Sequence, residues 1–348
     1  MKKILFLALI SLFISCKTTT SNQSGEATSQ AATSVQISSV DYEGVIAAEE
    51  LEKHLFIIAS DEMEGRMTGE PGQKMAAEYI RDFFIENNLK SPPGADNFFQ
   101  LVPSTFFRPG SGIKDSENVI AFVEGSNYPE ETIVITAHYD HTGIDSNGNI
   151  NNGADDNGSG TVATMMLAKA FQKAKDEGNG PKRSVVFLLV TGEEVGLFGS
   201  RYYTDVEPIF KLENTVASLN MDMIGRITPE REENPNYIYL IGTDRLSTEL
   251  HNLSEEVNRM YVGLDLDYKF NAHNDPNRFY YRSDHYNFAK HNIPVIFYFN
   301  GVHADYHKHT DTPDKIEYEL LETRARLVFH TAWELANRNE RIKLDINE

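Results

Sequence analysis

The sequence predicts a three-layer α/β sandwich built on a largely parallel central sheet. Three observations carry that prediction. Short apolar, β-branched runs recur at 118–123, 131–137, 184–190, 215–221, 237–241 and 293–299. Segments with helical apolar spacing lie between several of them, at 159–175, about 196–205 and 246–260, and strands alternating with helices are the pattern of parallel pairing. The runs are apolar on both faces, as strands covered by helices on each side must be.

The remaining elements follow in order. Residues 45–59 and 71–88 show helical spacing, the second through Ile80, Phe83 and Phe84. The 91–116 stretch, with its prolines and phenylalanines, is expected to be loop, and 316–338 a final amphipathic helix. There is no internal repeat and no second domain, so 41–348 is expected to be one domain. Apolar residues make up 40% of the chain and charged residues 24%, ordinary values for a globular core. Acidic residues outnumber basic ones 52 to 32, a net charge of −20, which argues against a nucleic-acid partner.

The amino terminus has its own logic. Lys2 and Lys3 precede an apolar run from Ile4 to Ile14 that is too short to span a bilayer core, which needs about 20 residues. It ends in Phe13-Ile14-Ser15-Cys16, which resembles a bacterial lipobox with Phe13 where Leu is usual. Residues 1–16 are therefore expected to be a lipoprotein signal, with Cys16 lipidated. The protein would be exported and anchored on the periplasmic or cell-surface face of a bacterial membrane. Residues 17–40, rich in Ser, Thr, Gln and Ala, read as a flexible tether with a reach of about 25–30 Å. Cys16 is the sole cysteine, which leaves no intramolecular disulfide.

Acidic and imidazole side chains cluster just past the carboxyl ends of the predicted strands. ETIVITA runs into His138-Tyr139-Asp140, SVVFLLV into Thr191-Gly192-Glu193-Glu194, TVASLNM into Asp222, and IPVIFYFN leads to the loop from His303 to His309. Ligands of open α/β sheets bind at that edge, so these residues can converge. Asp155 and Asp156 lie in NNGADDNGSG, a loop feeding the helix that begins near Ser159. Imidazoles and carboxylates without thiols suit catalytic zinc. Two metals sharing a carboxylate and a water activate that water for amide hydrolysis, with a further carboxylate as proton shuttle. Glu193-Glu194 can supply shuttle and ligand. There is no H-E-x-x-H helix and no G-x-S-x-G elbow, and Gly158-x-Gly160-x-x-Ala163 follows a polar loop where a dinucleotide fingerprint needs a strand.

The ordered motifs His138-Tyr139-Asp140, GADDNGSG, TGEEVGLFGS, NMDMIG, RSDHYNF and YHKHTDT resemble those of the co-catalytic zinc aminopeptidases, over roughly 45–340. That group includes bacterial leucyl aminopeptidase-like enzymes and is related to glutamate carboxypeptidase II and the glutaminyl cyclases. The resemblance implies a two-zinc peptidase acting on peptide substrates. His138 and Asp222 would hold one zinc, Glu194 and His307 the other, and Asp156 would bridge. Glu193 would be the general base, Asp140 would orient His138 as a carboxylate behind the metal, and Tyr306 and Arg282 would stabilise the oxyanion. It also implies a cis Asp156–Asn157 bond. His307 is preferred to His309 because the family ligand stands four residues before an Asp-Thr pair, here Asp311-Thr312. The alternatives are a single-zinc glutaminyl cyclase, which has Trp where this chain has Tyr306, and a binding lipoprotein without catalysis.

The other polar residues receive ordinary expectations. His54, His141, His251, His273, His291 and His330 are read as core or surface residues, and Asp155 as loop-structuring without metal contact. His285, His303 and Asp284 lie near the site with no assigned role.

Overall fold

The apolar runs assemble into one eight-stranded mixed sheet whose four central strands are parallel, in a computed structural model that describes residues 38–345. In chain order the elements are helices α1 (Val40–Glu43), α2 (Ala48–Ile58) and α3 (Pro71–Glu86), then strands β1 (Phe99–Val102), β2 (Ser116–Val123) and β3 (Tyr128–His138). Next come α4 (Gly160–Asp176), β4 (Arg183–Val190), α5 (Phe198–Asp205), β5 (Thr215–Met221) and β6 (Tyr237–Ile241). The chain ends with α6 (Thr248–Val257), β7 (Asp265–Asp267), α7 (His285–Ala289), β8 (Val295–Phe299) and α8 (Tyr318–Asn337). The spatial order is β1-β2-β4-β3-β5-β8-β6-β7. Strands β4, β3, β5 and β8 pair in parallel, whereas β2 and β6 close against them antiparallel. The parallel centre sends the carboxyl ends of four strands to one edge.

Alternation along each strand sorts side chains to two faces. From β3, Ile133, Ile135 and Ala137 join one core with Val185, Phe187 and Leu189 of β4. Val134 joins Val186, Leu188 and Val190 in the other. Helices α2, α3, α4, α6 and α8 cover the first face, and α5 and α7 the second. The expected three layers are thus present.

Two elements differ from expectation. Within the 91–116 stretch, Phe99–Val102 forms β1, paired antiparallel from Phe99 with Val119 to Val102 with Ser116. Strand β7 is the three-residue segment Asp265–Asp267 at the opposite edge. Both are set by pairing with a neighbour, and neither has a local strand signature. The folded body also reaches slightly further back than Asp41: Ser39 is buried, with its hydroxyl 2.7 Å from His330 Nδ1. Cys16 and most of the expected tether lie outside the described residues.

Helix α4 starts directly beneath the carboxyl edge of the parallel strands, and Gly160 makes that possible. A Cβ there would lie 2.4 Å from Asn157 Oδ1 and 2.5 Å from Met221 O. At the helix centre, Phe171 is fully buried, its ring 5.1 Å from Phe329, 5.6 Å from Trp333 and 6.0 Å from Phe187. Replacing Phe171 with Ala opens a cavity between α4, α8 and the sheet. It should cost about 3–5 kcal/mol of unfolding free energy, read from urea denaturation; a loss under about 1 kcal/mol would show that the core closes over the gap.

Candidate metal centre

Strand β3 ends in His138, and the residues after it are held by a cation that the sequence reading overlooked. Arg66 is fully buried, and its guanidinium donates to the carbonyls of Tyr139 (2.7 Å), Ile58 (2.8 Å), Asn152 (2.6 Å) and Gly153 (2.9 Å). It therefore ties the His138–His141 turn to the Asn152–Gly153 loop and to the end of α2. Burial lowers its pKa to about 10, and Asp140, Asp311, Asp156 and Glu194 oppose that shift, so the guanidinium stays charged at neutral pH.

The Asp156 loop is pinned from its other side. The Asp311 carboxylate accepts the backbone N–H groups of Asp155 (3.0 Å) and Asp156 (3.1 Å). Asp155 Oδ1 accepts Gly225 N–H at 2.7 Å, and its Oδ2 lies 3.1 Å from His303 Nε2. Asp155 thus structures the loop, with His303 as its partner. Asn157 donates to Met221 O and accepts from Gly160 N–H, both at 2.9 Å. The Asp156–Asn157 bond is cis, as the family resemblance implies.

So constrained, Asp156 places its two oxygens against two different imidazoles. Oδ1 is 3.3 Å from His138 Nε2 and Oδ2 is 3.1 Å from His307 Nε2. His138 Nε2 also lies 3.4 Å from Asp222 Oδ1 and 3.9 Å from Glu193 Oε2. His307 Nε2 is 3.3 Å from Glu194 Oε2. Donor pairs around a tetrahedral zinc with bonds of about 2.0–2.1 Å are separated by about 3.3 Å. Four of these separations match that edge. Asp156 Oδ2 is buried and has no hydrogen bond of good geometry, which leaves a lone pair for a cation.

Electrostatics point the same way. Burial would lower the His138 pKa, yet the Asp222, Glu193 and Asp156 carboxylates raise it well above the usual imidazole range. His307 is likewise pushed up to about 10, burial being outweighed by Asp156 and Glu194. Burial acts to raise Asp156, but the neighbouring imidazoles hold it well below the usual carboxylate range. The site holds more negative charge than its own side chains neutralise, so protons settle where divalent cations would otherwise bind.

The remaining predicted residues surround this centre. The carboxylate of Asp140 accepts Glu193 N–H (3.2 Å) and the Thr68 hydroxyl (2.7 Å). His138 Nδ1 is closer to the Asp140 carbonyl, at 3.1 Å, than to its carboxylate, at 3.8 Å. Asp140 therefore orients His138 mainly through its backbone, and its side chain fixes Glu193. Tyr306 stacks on His307 at 3.8 Å, and its phenol lies 3.4 Å from Arg282 at the exposed mouth. A cavity of about 540 Å³ opens there, with Glu193, Glu194, Tyr306 and His307 in its wall. A narrower recess beside it is lined by Met223, Phe279, Phe297 and Phe299 and reaches Asp156, Glu193 and Asp222.

Sequence reasoning missed other contributors. Ser283 donates to Asp222 Oδ2 at 2.6 Å. His141, read as a core or surface residue, is buried beside Glu194, its Nδ1 2.7 Å from Oε1. Its place directly after His138-Tyr139-Asp140 was the available signal. Asp284 pairs with Ser200 at 2.5 Å, and burial pushes it up to about 7. His285 stacks on Phe297 and is driven down to about 3 by burial. Neither touches the donor set.

An α/β sandwich with this donor set at the carboxyl edge of its parallel strands is the arrangement of a metallohydrolase. Residues 118–332 match the model of peptidase family M28, and the chain belongs to that family. A probable zinc metalloprotease of Pyrenophora tritici-repentis is 30% identical over 200 residues, 55% of this chain and 38% of that protein. Aminopeptidase YwaD of Bacillus subtilis is 28% identical over 167 residues, 43% of this chain and 34% of that protein. The chain spans about a quarter to two fifths of the length of the curated relatives it matches first. Among solved structures, the LapA aminopeptidase of Legionella pneumophila superposes with a TM-score of 0.66 at 20% identity, covering 87% of this chain and 75% of that one. That likeness concerns the fold.

The geometry separates two neighbouring histidines. Both histidines are exposed, but His307 Nε2 lies 3.1 Å from Asp156 and 3.3 Å from Glu194, whereas among the described residues His309 makes no ion pair with either carboxylate. His307→Ala should lower the amount of zinc the protein binds, and His309→Ala should leave it unchanged. Metal content measured on the two variants side by side checks this, and the reverse pattern would shift the register of the loop by two residues.

Proposed function

We propose that the chain is a two-zinc metallopeptidase that releases amino acids from the N-termini of peptides. One observation carries this reading: Asp156 presents one oxygen to the His138 side and the other to the His307 side, at 3.3 and 3.1 Å. His138 and Asp222 would hold one ion, Glu194 and His307 the other, with Asp156 shared. Metal held there would supply Lewis acidity, which activates water at neutral pH and stabilises charge developing on a scissile carbonyl.

The chain's own groups supply the rest. Burial, reinforced by Asp222 and Glu194 and opposed by His138, raises Glu193 well above the usual carboxylate range. A carboxyl with that bias is suited to take a proton from the attacking water and return it to the leaving amine. Burial and nearby carboxylates raise the Tyr306 phenol, so it keeps its proton and can donate to the oxyanion, with Arg282 beside it. The apolar recess next to Glu193 and Asp156 has the character of a pocket for one apolar side chain. The acid-rich floor favours a free ammonium group close by, which supports aminopeptidase action, as does the name of the Bacillus subtilis relative.

The deciding experiment offers free-amine, N-acetylated and N-terminal glutamine peptides to zinc-loaded protein and reads the products by mass spectrometry. Two metal equivalents and stepwise loss of the first residue from free-amine peptides only are expected. One equivalent with loss of ammonia from glutamine peptides would replace this reading with a cyclase, and cleavage of the acetylated peptides would exclude an aminopeptidase. In the same assay Glu193→Gln should keep both metals while losing about 10²–10⁴-fold in turnover.

We also propose that Cys16 carries a lipid that holds the enzyme at a bacterial membrane, supported by the Lys2-Lys3 and Ile4 to Ile14 segments before it. Cys16→Ala should move the protein out of the membrane fraction. Recovery of that variant in the same fraction as wild type would contradict anchoring.

A further inference from the structure

We infer that His141 is a positioning residue of the second metal half-site. Its ring N–H holds one oxygen of Glu194 so that the other faces the metal together with Asp156 and His307. The inference rests on the two-metal reading of the site.

The distances separate this role from direct ligation. His138 and His307 stand 3.1–3.4 Å from the carboxylates they share an ion with, which is the spacing of two donors on one zinc. His141 Nδ1 stands 2.7 Å from Glu194 Oε1, the length of a charge-assisted hydrogen bond, and 3.9 Å from Asp156 Oδ2. The proton's place follows from the partners. His141 Nε2 is buried and has no hydrogen-bond partner among the described residues. A proton there would be stranded, whereas on Nδ1 it meets a carboxylate. Ligation through Nδ1 would require moving that proton to the stranded side.

The ring is held in place from two directions. Its own backbone N–H donates to Arg66 O at 3.1 Å, and a Cβ on Gly153 would lie 2.5 Å from the ring. Gly153 also has φ +56°, so a side chain there would be strained as well as crowded. The other half-site has a counterpart. Ser283 donates to Asp222 Oδ2 at 2.6 Å, and Asp222 Oδ1 faces His138. On each side, a donor that binds no metal occupies one oxygen of the terminal carboxylate and leaves the other free to ligate.

Three variants test the role. His141→Leu keeps the bulk and removes the donor. His141→Asn puts an amide nitrogen near the place of Nδ1, and His141→Gln puts one nearer Nε2. Zinc stoichiometry and the dissociation constant of the weaker site, from chelator competition, are measured beside the melting temperature of the metal-free protein. Leu and Gln should weaken the second site about 10–100-fold, the usual effect of removing such a partner. Asn should restore it, and the metal-free melting temperatures should not follow this order. Wild-type affinity in the Leu variant would overturn the inference in favour of simple packing. Equal loss of the second metal in Asn, Gln and Leu would overturn it in favour of direct ligation. Should Leu fail to fold, the Asn–Gln contrast decides alone. Wild-type protein that binds fewer than two zinc ions would overturn the two-metal reading itself, a result distinct from either of these.

Discussion

The constraint on which the rest of the structure depends is the burial of a carboxylate, Asp156, only 3% exposed, among four others: Asp140, Glu193, Glu194 and Asp222. So many buried anions are costly unless each has a donor or a cation. The surroundings show how that cost is met. Arg66 brings a full charge beneath the site and spends its donors on four carbonyls, fixing the loops that carry His138 and Asp156. Asp311 fixes Asp156 through its backbone, and Asn157 anchors the same loop to β5. What remains unneutralised lies between His138 and His307, where the donor spacing suits divalent metal.

The fold answers the same requirement. Residues as far apart as His138 and His307 can meet because β3, β4, β5 and β8 run parallel and end at one edge. A parallel centre demands cover on both faces, which the all-apolar strands already announce: every residue of β4 and β5 is buried. The tight approach of α4 to Met221, permitted by Gly160, brings the Asp156 loop down onto the strand that leads to Asp222. Core packing and site geometry are therefore one problem, solved at the junction of loop, helix and strand.

That junction also marks where the sequence is legible. The central strands are readable because their apolar runs are long and their neighbours helical, and the donors are readable because they follow those strands in recognisable motifs. Strands β1 and β7 are not, since four and three residues at sheet edges carry too little pattern of their own. Arg66 is hidden for a different reason. It sits in EGRMTG, a turn with no periodicity, and its importance comes from four carbonyls contributed by distant segments. His141 is hidden by chemistry: alone, a histidine one residue past a motif is as consistent with packing as with function, and only its 2.7 Å approach to Glu194 distinguishes them.

The adjacent pair Glu193-Glu194 shows how far position alone can divide identical side chains. Both are nearly buried, with side chains 11% and 7% exposed, so burial acts to raise both. Glu194 has an imidazole on each oxygen, His141 at 2.7 Å and His307 at 3.3 Å, and its pKa falls below the usual range despite burial and Asp156. Among the described residues Glu193 has one imidazole partner, His138 at 3.9 Å, and burial together with the Asp222 and Glu194 charges raises its pKa well above that range. One carboxylate is thus held as an anion, which would suit a metal ligand, and its neighbour has a raised proton affinity, which would suit a group that accepts a proton. Two like groups are driven in opposite directions by their neighbours alone. Here the division is produced by the turn that aims one glutamate at the β3 side of Asp156 and the next at the His307 side.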